Sequence, residues 1–213
     1  MRNYPYSYDI IEKYRELGIK ISNFYPIFKE IRFSPSLKNI EIHSKQKPLF
    51  YNIIRGYSDR RSLDNDLLEQ AKKHGVEVFF NCKVTPELKK DASIIATGAP
   101  RREVVGYGNH YKDVAIESNT LYYFLNNMDS SYAFSYAVPF TEREASVVVV
   151  SLKKKNKNHI KNEYDKLIKK NEFIKKIIKN ADLENDTFGY ASFNPPETAI
   201  RNKKLHVGGA AGF

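Results

Sequence analysis

Two glycine-containing segments have the residue types of a phosphate-binding turn. The first reads DASIIATGAPRR at positions 91–102, and the second reads LHVGGAAGF at positions 205–213. In each, an apolar run typical of a strand ends in small residues, which let the backbone approach a ligand and turn its amides toward phosphate. A helix beginning at Ala210 or Ala211 would add its dipole to an anion site. A tight turn or close helix packing explains either segment alone equally well.

The other reactive side chains form no recognisable catalytic set. We expect the tyrosines to be core or pocket wall rather than catalysts; they include Tyr122, Tyr123, Tyr132 and Tyr136. The single Cys82 excludes an internal disulfide and a thiolate metal cluster. The histidines lack ligand spacing, so no metal site is predicted; they are His43, His74, His110, His159 and His206. Arg101 and Arg102 could meet phosphate, although charged residues just past a strand are usually only solvated.

The elements around the first segment are of the α/β kind. The run PLFYNIIRG at 48–56 is β-prone, and the helix that follows at 62–75 has Ser62 as its cap and Gly75 as its stop. Its predicted buried stripe consists of Leu63, Leu67, Leu68 and Ala71. The compact apolar runs VEVFF at 76–80 and ASIIA at 92–96 are then predicted as strands covered on both faces.

The region before residue 48 is predicted to contain one helix and one hairpin. Residues 8–17 read as a short helix that Gly18 ends. Residues 27–44 alternate like two strands around a Ser-Pro-Ser turn. This hairpin is expected to point Ile31, Phe33, Ile40 and Ile42 toward one side.

The region after Arg102 has a different character. The runs SYAFSYAVPF at 131–140 and ASVVVVSL at 145–152 predict an antiparallel sheet. A lysine-rich helix over 153–180 follows, and its helically spaced apolar side chains predict one buried face; they are Ile160, Tyr164, Leu167, Ile168, Ile174, Ile177 and Ile178. The chain then reads as a strand that enters the second glycine-containing segment.

Composition and charge limit the classes of function. With 213 residues and 41% hydrophobic side chains, the chain can bury a core. The net charge of +10 would suit nucleic acid, but the lysines cluster in one helix, where a solvated face explains them better. Such a helix could also rest on anionic lipid. Without a run of about 20 apolar residues or a signal peptide, the expected location is the cytoplasm, with peripheral membrane contact as an option.

Taken in order, the segments resemble the geranylgeranyl reductase branch of the flavoprotein superfamily that also contains aromatic hydroxylases and halogenases. Arg55 and the helix after it resemble the family's strand, arginine and helix at the flavin, and NCKV at 81–84 resembles the segment that meets adenine. IIATGAPRR is similar to the turn beside the cofactor, and GGAAGF to the Gly-Asp-Ala-Ala-Gly turn that holds the ribityl chain and pyrophosphate. YAFSYAVPF resembles the Tyr-x-Trp-x-Phe-Pro segment at the lipid pocket, although this chain has no tryptophan.

The resemblance implies an α/β fold in which a partial, three-layer Rossmann-like FAD-binding domain is interleaved with an antiparallel substrate domain. The FAD-binding part would comprise 1–21, 46–101 and 204–213, and the substrate part 22–45 and 102–203, with its basic helix near 156–180. The implied cofactor is FAD, with reduced flavin delivering hydride to carbon-carbon double bonds of an isoprenoid lipid. The implied FAD contacts are Arg55, Val84, Thr97, Gly98, Ala99, Gly208, Gly209, Ala210, Ala211 and Gly212. The implied substrate contacts are Tyr136, Pro139 and Phe140.

Two departures from the family pattern leave other functions open. Gly209 replaces the family's aspartate, and losing that charged hydrogen bond costs about 1.5–3 kcal/mol. No Gly-x-Gly-x-x-Gly motif follows a strand, so we expect a partial chain whose phosphate-cradling unit comes from a second chain. One alternative is a non-catalytic or decayed subunit of such a flavoprotein. The other is a basic protein that binds nucleic acid or a membrane surface.

Overall fold

The computed structural model of the chain has a mixed α/β architecture built around one large sheet. It describes residues 10–34, 38–56, 59–98, 103–125, 133–152, 156–191 and 199–208. The helices are α1 (Ile10–Glu16), α2 (Leu63–Lys73), α3 (Pro86–Asp91), α4 (Lys157–Lys170) and α5 (Glu172–Ile178). The strands are β1 (Tyr25–Ile27), β2 (Lys29–Phe33), β3 (Ile40–His43), β4 (Phe50–Asn52), β5 (Ile94–Ile95), β6 (Val104–Lys112), β7 (Thr120–Leu125), β8 (Phe134–Thr141), β9 (Glu144–Ser151), β10 (Asp182–Ala191), β11 (Ile200–Arg201) and β12 (Lys204–His206). None of the helices in these ranges is long and apolar enough to cross a membrane.

The large sheet has seven strands in the order β10-β6-β9-β8-β7-β2-β3. All neighbours are antiparallel except β2 and β7, which run parallel. The predicted antiparallel region is therefore confirmed, with β8 and β9 paired as a hairpin. The run of valines in β9 is buried on both faces, as its near-continuous apolar sequence requires.

The lysine-rich segment covers one face of this sheet. Its predicted apolar stripe is confirmed, because Ile160, Tyr164, Leu167, Ile174 and Ile177 are buried in one cluster with residues of the large sheet, and Ile168 and Ile178 are partly buried against that cluster. It forms two helices rather than one. The break lies at Asn171, whose side chain caps α5 by accepting a hydrogen bond of 3.0 Å from the Ile174 amide.

The opposite face carries a second apolar cluster under the short β1–β4 pair. It consists of Ile27, Phe50, Leu121, Tyr136, Val138 and Val148. Strands β1 and β4 pair antiparallel. The pair thus joins a strand from the predicted substrate part, β1, to one from the predicted FAD-binding part, β4.

Two predictions are wrong, one about the β2–β3 hairpin and one about the run at 76–80. In the β2–β3 hairpin, Ile31 lies opposite Glu41, whereas Arg32 lies opposite Ile40. Directly opposed residues share a face, so the prediction that Ile31, Phe33, Ile40 and Ile42 point to one side is wrong. The run at 76–80 forms no strand because no described strand pairs with it, and Phe79 is 77% exposed.

Helix α2 begins and ends where the sequence predicts. Ser62 caps it by accepting from the Asn65 amide at 3.2 Å, and Gly75 follows it with φ +80°. Its predicted buried stripe is only partly correct, since Leu63 is buried but Leu67 is exposed. Residues 20–22, rather than a strand, lie along the helix and hydrogen-bond to its side chains.

Candidate functional site: adjacent strand ends beside a basic cleft

The two glycine-containing segments meet in a small three-stranded sheet of order β11-β12-β5. Strands β5 and β12 pair in parallel, and the Val207 amide donates to the Ile95 carbonyl at 3.0 Å. Parallel strands end at the same edge of a sheet. The structure therefore brings the turn at Thr97 and Gly98 next to the turn at Gly208.

The backbone of both turns explains why they contain glycine. Gly98 has φ +86° and Gly208 has φ +56°, conformations that side-chain-bearing residues rarely adopt. A Cβ added at either position would meet nothing within 4 Å, so the surrounding space is open. The remaining residues predicted for this site lie outside the described ranges; they are Ala99, Gly209, Ala210, Ala211 and Gly212.

A cleft of about 530 Å³ adjoins the first turn, with Thr97 and Gly98 in its lining. Pro86 and Ile95 supply apolar wall, and Asn202 lies at the turn between β11 and β12. All of the charged or titratable side chains of the lining are basic: Lys89, Lys90, Arg201, Lys204 and His206. The electrostatic character of this cleft favours an anion.

Arg55 and Val84, also predicted to contact the cofactor, lie in different surroundings. The Arg55 guanidinium forms a bidentate ion pair with Asp64, at 2.9 and 2.8 Å. Burial acts to raise the pKa of Asp64, but hydrogen bonds from Arg55 and from the Gly56 amide outweigh it and lower the pKa. Arg55 is thus held against the first turn of α2. Val84 is 49% exposed in an irregular segment.

The predicted substrate residues lie in β8 and are buried. Tyr136 and Phe140 are 8% and 4% exposed, and Pro139 is fully enclosed. Burial raises the pKa of Tyr136, which keeps its phenol protonated. The Phe140 ring packs edge-on against Tyr25 and His110 at centroid distances of 5.3 and 5.2 Å. These residues are thus wall or core, as expected of the tyrosines.

An orphaned acceptor that the sequence did not indicate lies beside Pro139. Asn52 is fully buried in β4 and donates from Nδ2 to the Pro139 carbonyl at 3.1 Å. Its Oδ1 has no hydrogen-bond partner among the described residues. A buried acceptor left unpaired is costly, so a hydrogen-bond donor placed at this oxygen would have a stabilising effect.

A charged cluster on the same side of the sheet was also missed. Arg61 donates to both oxygens of Glu144, at 2.7 and 2.6 Å, and to Asp59 at 2.7 Å. His110 bonds to Glu144 through Nε2 at 2.9 Å and to Ser146 through Nδ1 at 3.0 Å. The Arg61 hydrogen bonds are the main reason that the pKa of Glu144 falls to about 2.

This cluster also brings ligand atoms of His110, Glu144 and Glu184 within 4.8 Å of one another. Arg61 holds both oxygens of Glu144 and Lys112 pairs with Glu184, so the carboxylates are already neutralised. We therefore describe it as an ion-pair network that joins the start of α2 to the large sheet. The spacing of histidines in the sequence could not reveal it, because the pairing of β6 with both β9 and β10 places these residues together.

Comparison with solved structures identifies the fold. A geranylgeranyl bacteriochlorophyll reductase-like protein from Thermoplasma acidophilum superimposes with a TM-score of 0.64 and 17% identity over 93% of this chain. A myxobacterial FAD-dependent chondrochloren halogenase superimposes with a TM-score of 0.62 and 13% identity over 100% of this chain. A peptidyl tryptophan dihydroxylase superimposes with a TM-score of 0.61 and 14% identity over 99% of this chain. No protein-family model and no curated protein matches the sequence.

These likenesses show that the chain shares its fold with proteins that include a FAD-dependent halogenase. The chain spans 59%, 61% and 52% of the length of the three neighbours, in the same order. The predicted α/β class is confirmed, and its main element is a large mixed sheet.

Proposed function

We propose that this chain is part of a FAD-dependent oxidoreductase and that the flavin is held at the adjacent ends of β5 and β12. The observation that carries the proposal is the parallel pairing that places Thr97, Gly98 and Gly208 at one edge, in a fold shared with flavin-dependent enzymes. The residues present fit the cofactor, because its pyrophosphate is anionic and the adjoining cleft is basic.

The chain's own residues would bind and shield the reactants. Gly98 and Gly208 let the backbone approach the cofactor, and the cationic cleft counters negative charge. When bound and reduced, FAD supplies the hydride, since the cofactor carries the difficult chemistry. The orphaned oxygen of Asn52 offers an acceptor to an N–H or O–H donor.

The substrate that we propose is an isoprenoid chain whose carbon-carbon double bonds are reduced. The support is the aromatic side of the sheet that β1 and β4 partly cover. There each of the rings of Tyr123, Phe134 and Tyr136 contacts the other two, with centroids 6.0–6.3 Å apart. Such apolar walls suit a prenyl chain and exclude water.

We further propose that a second chain completes the site by supplying a Gly-x-Gly-x-x-Gly unit. Strand β5 lies at the edge of its sheet, so one side of it is open among the described residues. The exposed apolar side chains of the 76–80 segment, with Val76 at 52% and Phe79 at 77%, offer further surface for such a partner. Open edges and apolar patches favour pairing with another chain.

Flavin retention tests the proposal. The chain is purified with excess FAD, alone and with a partner that bears the missing unit, and bound flavin is measured by absorbance after gel filtration. We expect flavin to be retained with the partner. If none is retained in either case, the proposed function is wrong.

A pair of glycine variants sharpens the test. Gly98 (φ +86°) and Gly75 (φ +80°) have similar backbone conformations, which would be strained for alanine, and open space around the missing Cβ. Alanine at either position should cost about 1–2 kcal/mol of stability, measured by urea unfolding. Only Gly98→Ala should weaken FAD binding, by roughly tenfold, because Gly75 follows α2 rather than β5. If the two variants lose FAD affinity equally, the β5 turn does not contact the flavin.

A further inference from the structure

A second pocket, of about 670 Å³, lies where α5 meets the connection between β6 and β7 and the turn between β8 and β9. Its lining includes Tyr122, which belongs to the apolar cluster that α4 and α5 cover. The next residue of β7, Tyr123, packs on the other apolar cluster. Successive side chains of a strand point to opposite faces of its sheet. The pocket is therefore distinct from the proposed substrate side.

The walls of this pocket are joined by backbone hydrogen bonds. The Ala115 amide donates to the Ile177 carbonyl at 3.2 Å, which ties the β6–β7 connection to α5. The Ile116 amide donates to the Glu142 carbonyl at 3.4 Å, which ties the same connection to the β8–β9 turn. The pocket is thus part of the fold itself, and its volume lies within the range of roughly 300–1,000 Å³ that small-molecule sites occupy.

The floor of the pocket is aromatic. The half-buried ring of Phe173 lies 4.7 Å from the ring of Tyr122 between centroids, with 41° between the two planes. Phe173 also packs against Phe33 and Phe124, at centroid distances of 5.4 and 5.8 Å. These contacts hold the ring in place. The floor therefore offers a fixed apolar surface whose rings also attract cations.

The rim of the pocket is acidic, although the net charge of the chain is +10. Glu117 and Glu142 supply two carboxylates to the lining, against one ammonium from Lys176. The Glu117 carboxylate accepts a hydrogen bond of 2.7 Å from the Thr120 hydroxyl. Burial and the nearby charge of Glu117 raise the pKa of Tyr122 to about 12, which keeps its phenol neutral. No other residue in the described part of the chain donates to the Glu142 carboxylate, so the rim retains acceptors for a ligand.

We infer that this pocket binds a small organic amine, in its ammonium form, that has an apolar body. The carboxylates of Glu117 and Glu142 hold the ammonium through charge-assisted hydrogen bonds. The apolar body packs on the rings of Tyr122 and Phe173. Two kinds of ligand share this chemistry, a simple amine and an amino acid, whose carboxylate pairs with Lys176. The inference does not depend on the proposed function.

The test uses phenethylamine as the probe, in calorimetric titration of the full chain at low salt and neutral pH. Hydrocinnamate is the matched ligand control, because it has the same phenylethyl group with a carboxylate in place of the ammonium. We expect phenethylamine to bind and hydrocinnamate to bind at least about tenfold more weakly. Undetectable binding of phenethylamine, or equal binding of the two ligands, overturns the inference.

A charge-matched pair of variants locates the site. Glu117→Gln/Glu142→Gln removes both carboxylate charges from the rim, whereas Glu69→Gln/Glu77→Gln removes two exposed carboxylates outside the lining. The rim variant should bind phenethylamine about tenfold or more weakly, and the control should change less than about twofold. Equal loss in both would reflect overall charge alone and overturns the inference. If the rim variant fails to fold, Glu142→Gln alone should weaken binding about threefold or more, and unchanged binding is then the contrary result.

Phenylalanine distinguishes the two kinds of ligand. If the natural ligand is an amino acid, phenylalanine binds more tightly than phenethylamine, and Lys176→Gln removes that advantage. If it is a simple amine, phenethylamine binds more tightly to the unaltered chain. Either result supports an ammonium site. Failure of the chain to retain flavin leaves this site assigned, because the two experiments probe different faces of the large sheet.

Discussion

Replacing Glu144 by glutamine should lower the free energy of unfolding by about 3 kcal/mol at pH 7. Glu144 is 6% exposed and accepts hydrogen bonds from Arg61 and His110. Its pKa falls from 4.5 to about 2 on folding, a difference equivalent to about 3 kcal/mol. Removing one partner of a buried ion pair has a comparable cost, because the other charge is left without its counterion.

The effect of this variant should depend on pH in a defined direction. Because folding lowers the pKa of Glu144, the stabilisation is fully present above the unfolded value of 4.5 and is lost as pH falls toward about 2. Urea unfolding of the unaltered protein and the variant, between about pH 3 and about pH 7, measures this stabilisation. The difference should be largest at pH 7 and shrink below about pH 4.5.

Glu142→Gln provides the control for this prediction. Glu142 is exposed, in the turn between β8 and β9, two positions before Glu144. Its replacement should change stability by no more than about 0.5 kcal/mol. A stability loss for Glu144→Gln that is the same at every pH would contradict the assigned role of the carboxylate charge.

Replacing Gly108 by alanine should destabilise the protein by about 3 kcal/mol. Gly108 lies in β6 against β9, and an added Cβ would sit 2.7 Å from Val148 Cγ2 and 3.0 Å from Val148 Cα, with the Val147 carbonyl closer still. Two of these obstacles are backbone atoms in the middle of the large sheet, so the strands would have to separate. Overpacking a core by one methyl group typically costs about 1–3 kcal/mol, and a backbone clash lies at the upper end.

Gly106→Ala is the matched control, two residues earlier in the same strand. There the nearest atom to an added Cβ is the Val149 carbonyl oxygen at 3.8 Å, an ordinary contact. Alanine should be tolerated or stabilise slightly, by about 0.4–1 kcal/mol, because it restricts the unfolded chain. Thermal unfolding of both variants tests this difference in stability. Similar melting temperatures would mean that β6 and β9 are not packed this closely at Gly108.

Local patterns in the sequence were sufficient for many elements. The Ser62 cap and the Gly75 stop predicted α2, the alternating runs predicted β8 and β9, and the helically spaced isoleucines predicted the buried face of α4 and α5. Caps, periodicity and turn residues act over a few positions, so they can be read without knowing the fold. The same reasoning identified Thr97, Gly98 and Gly208 as turn residues after apolar strands.

The tertiary structure alone decided what these residues have around them. The 76–80 run has a strand's composition but no strand, because a strand needs a partner and none of the described strands pairs with it. Ile31 and Ile40 face opposite sides because the register of β2 and β3, rather than apolar spacing, sets their direction. Arg61, His110 and Glu144 come from separate parts of the chain, and only the β6–β9 register and the start of α2 bring them together.

The candidate site shows the same division. From the sequence came the two small-residue turns, since glycine at positive φ is a local requirement. Their adjacency depends on the parallel pairing of β5 with β12, and the cleft beside them depends on how α3 and β11 pack against those strands. Which strands pair is decided by the burial and backbone hydrogen bonding of the whole sheet. No short stretch of sequence specifies that pairing by itself.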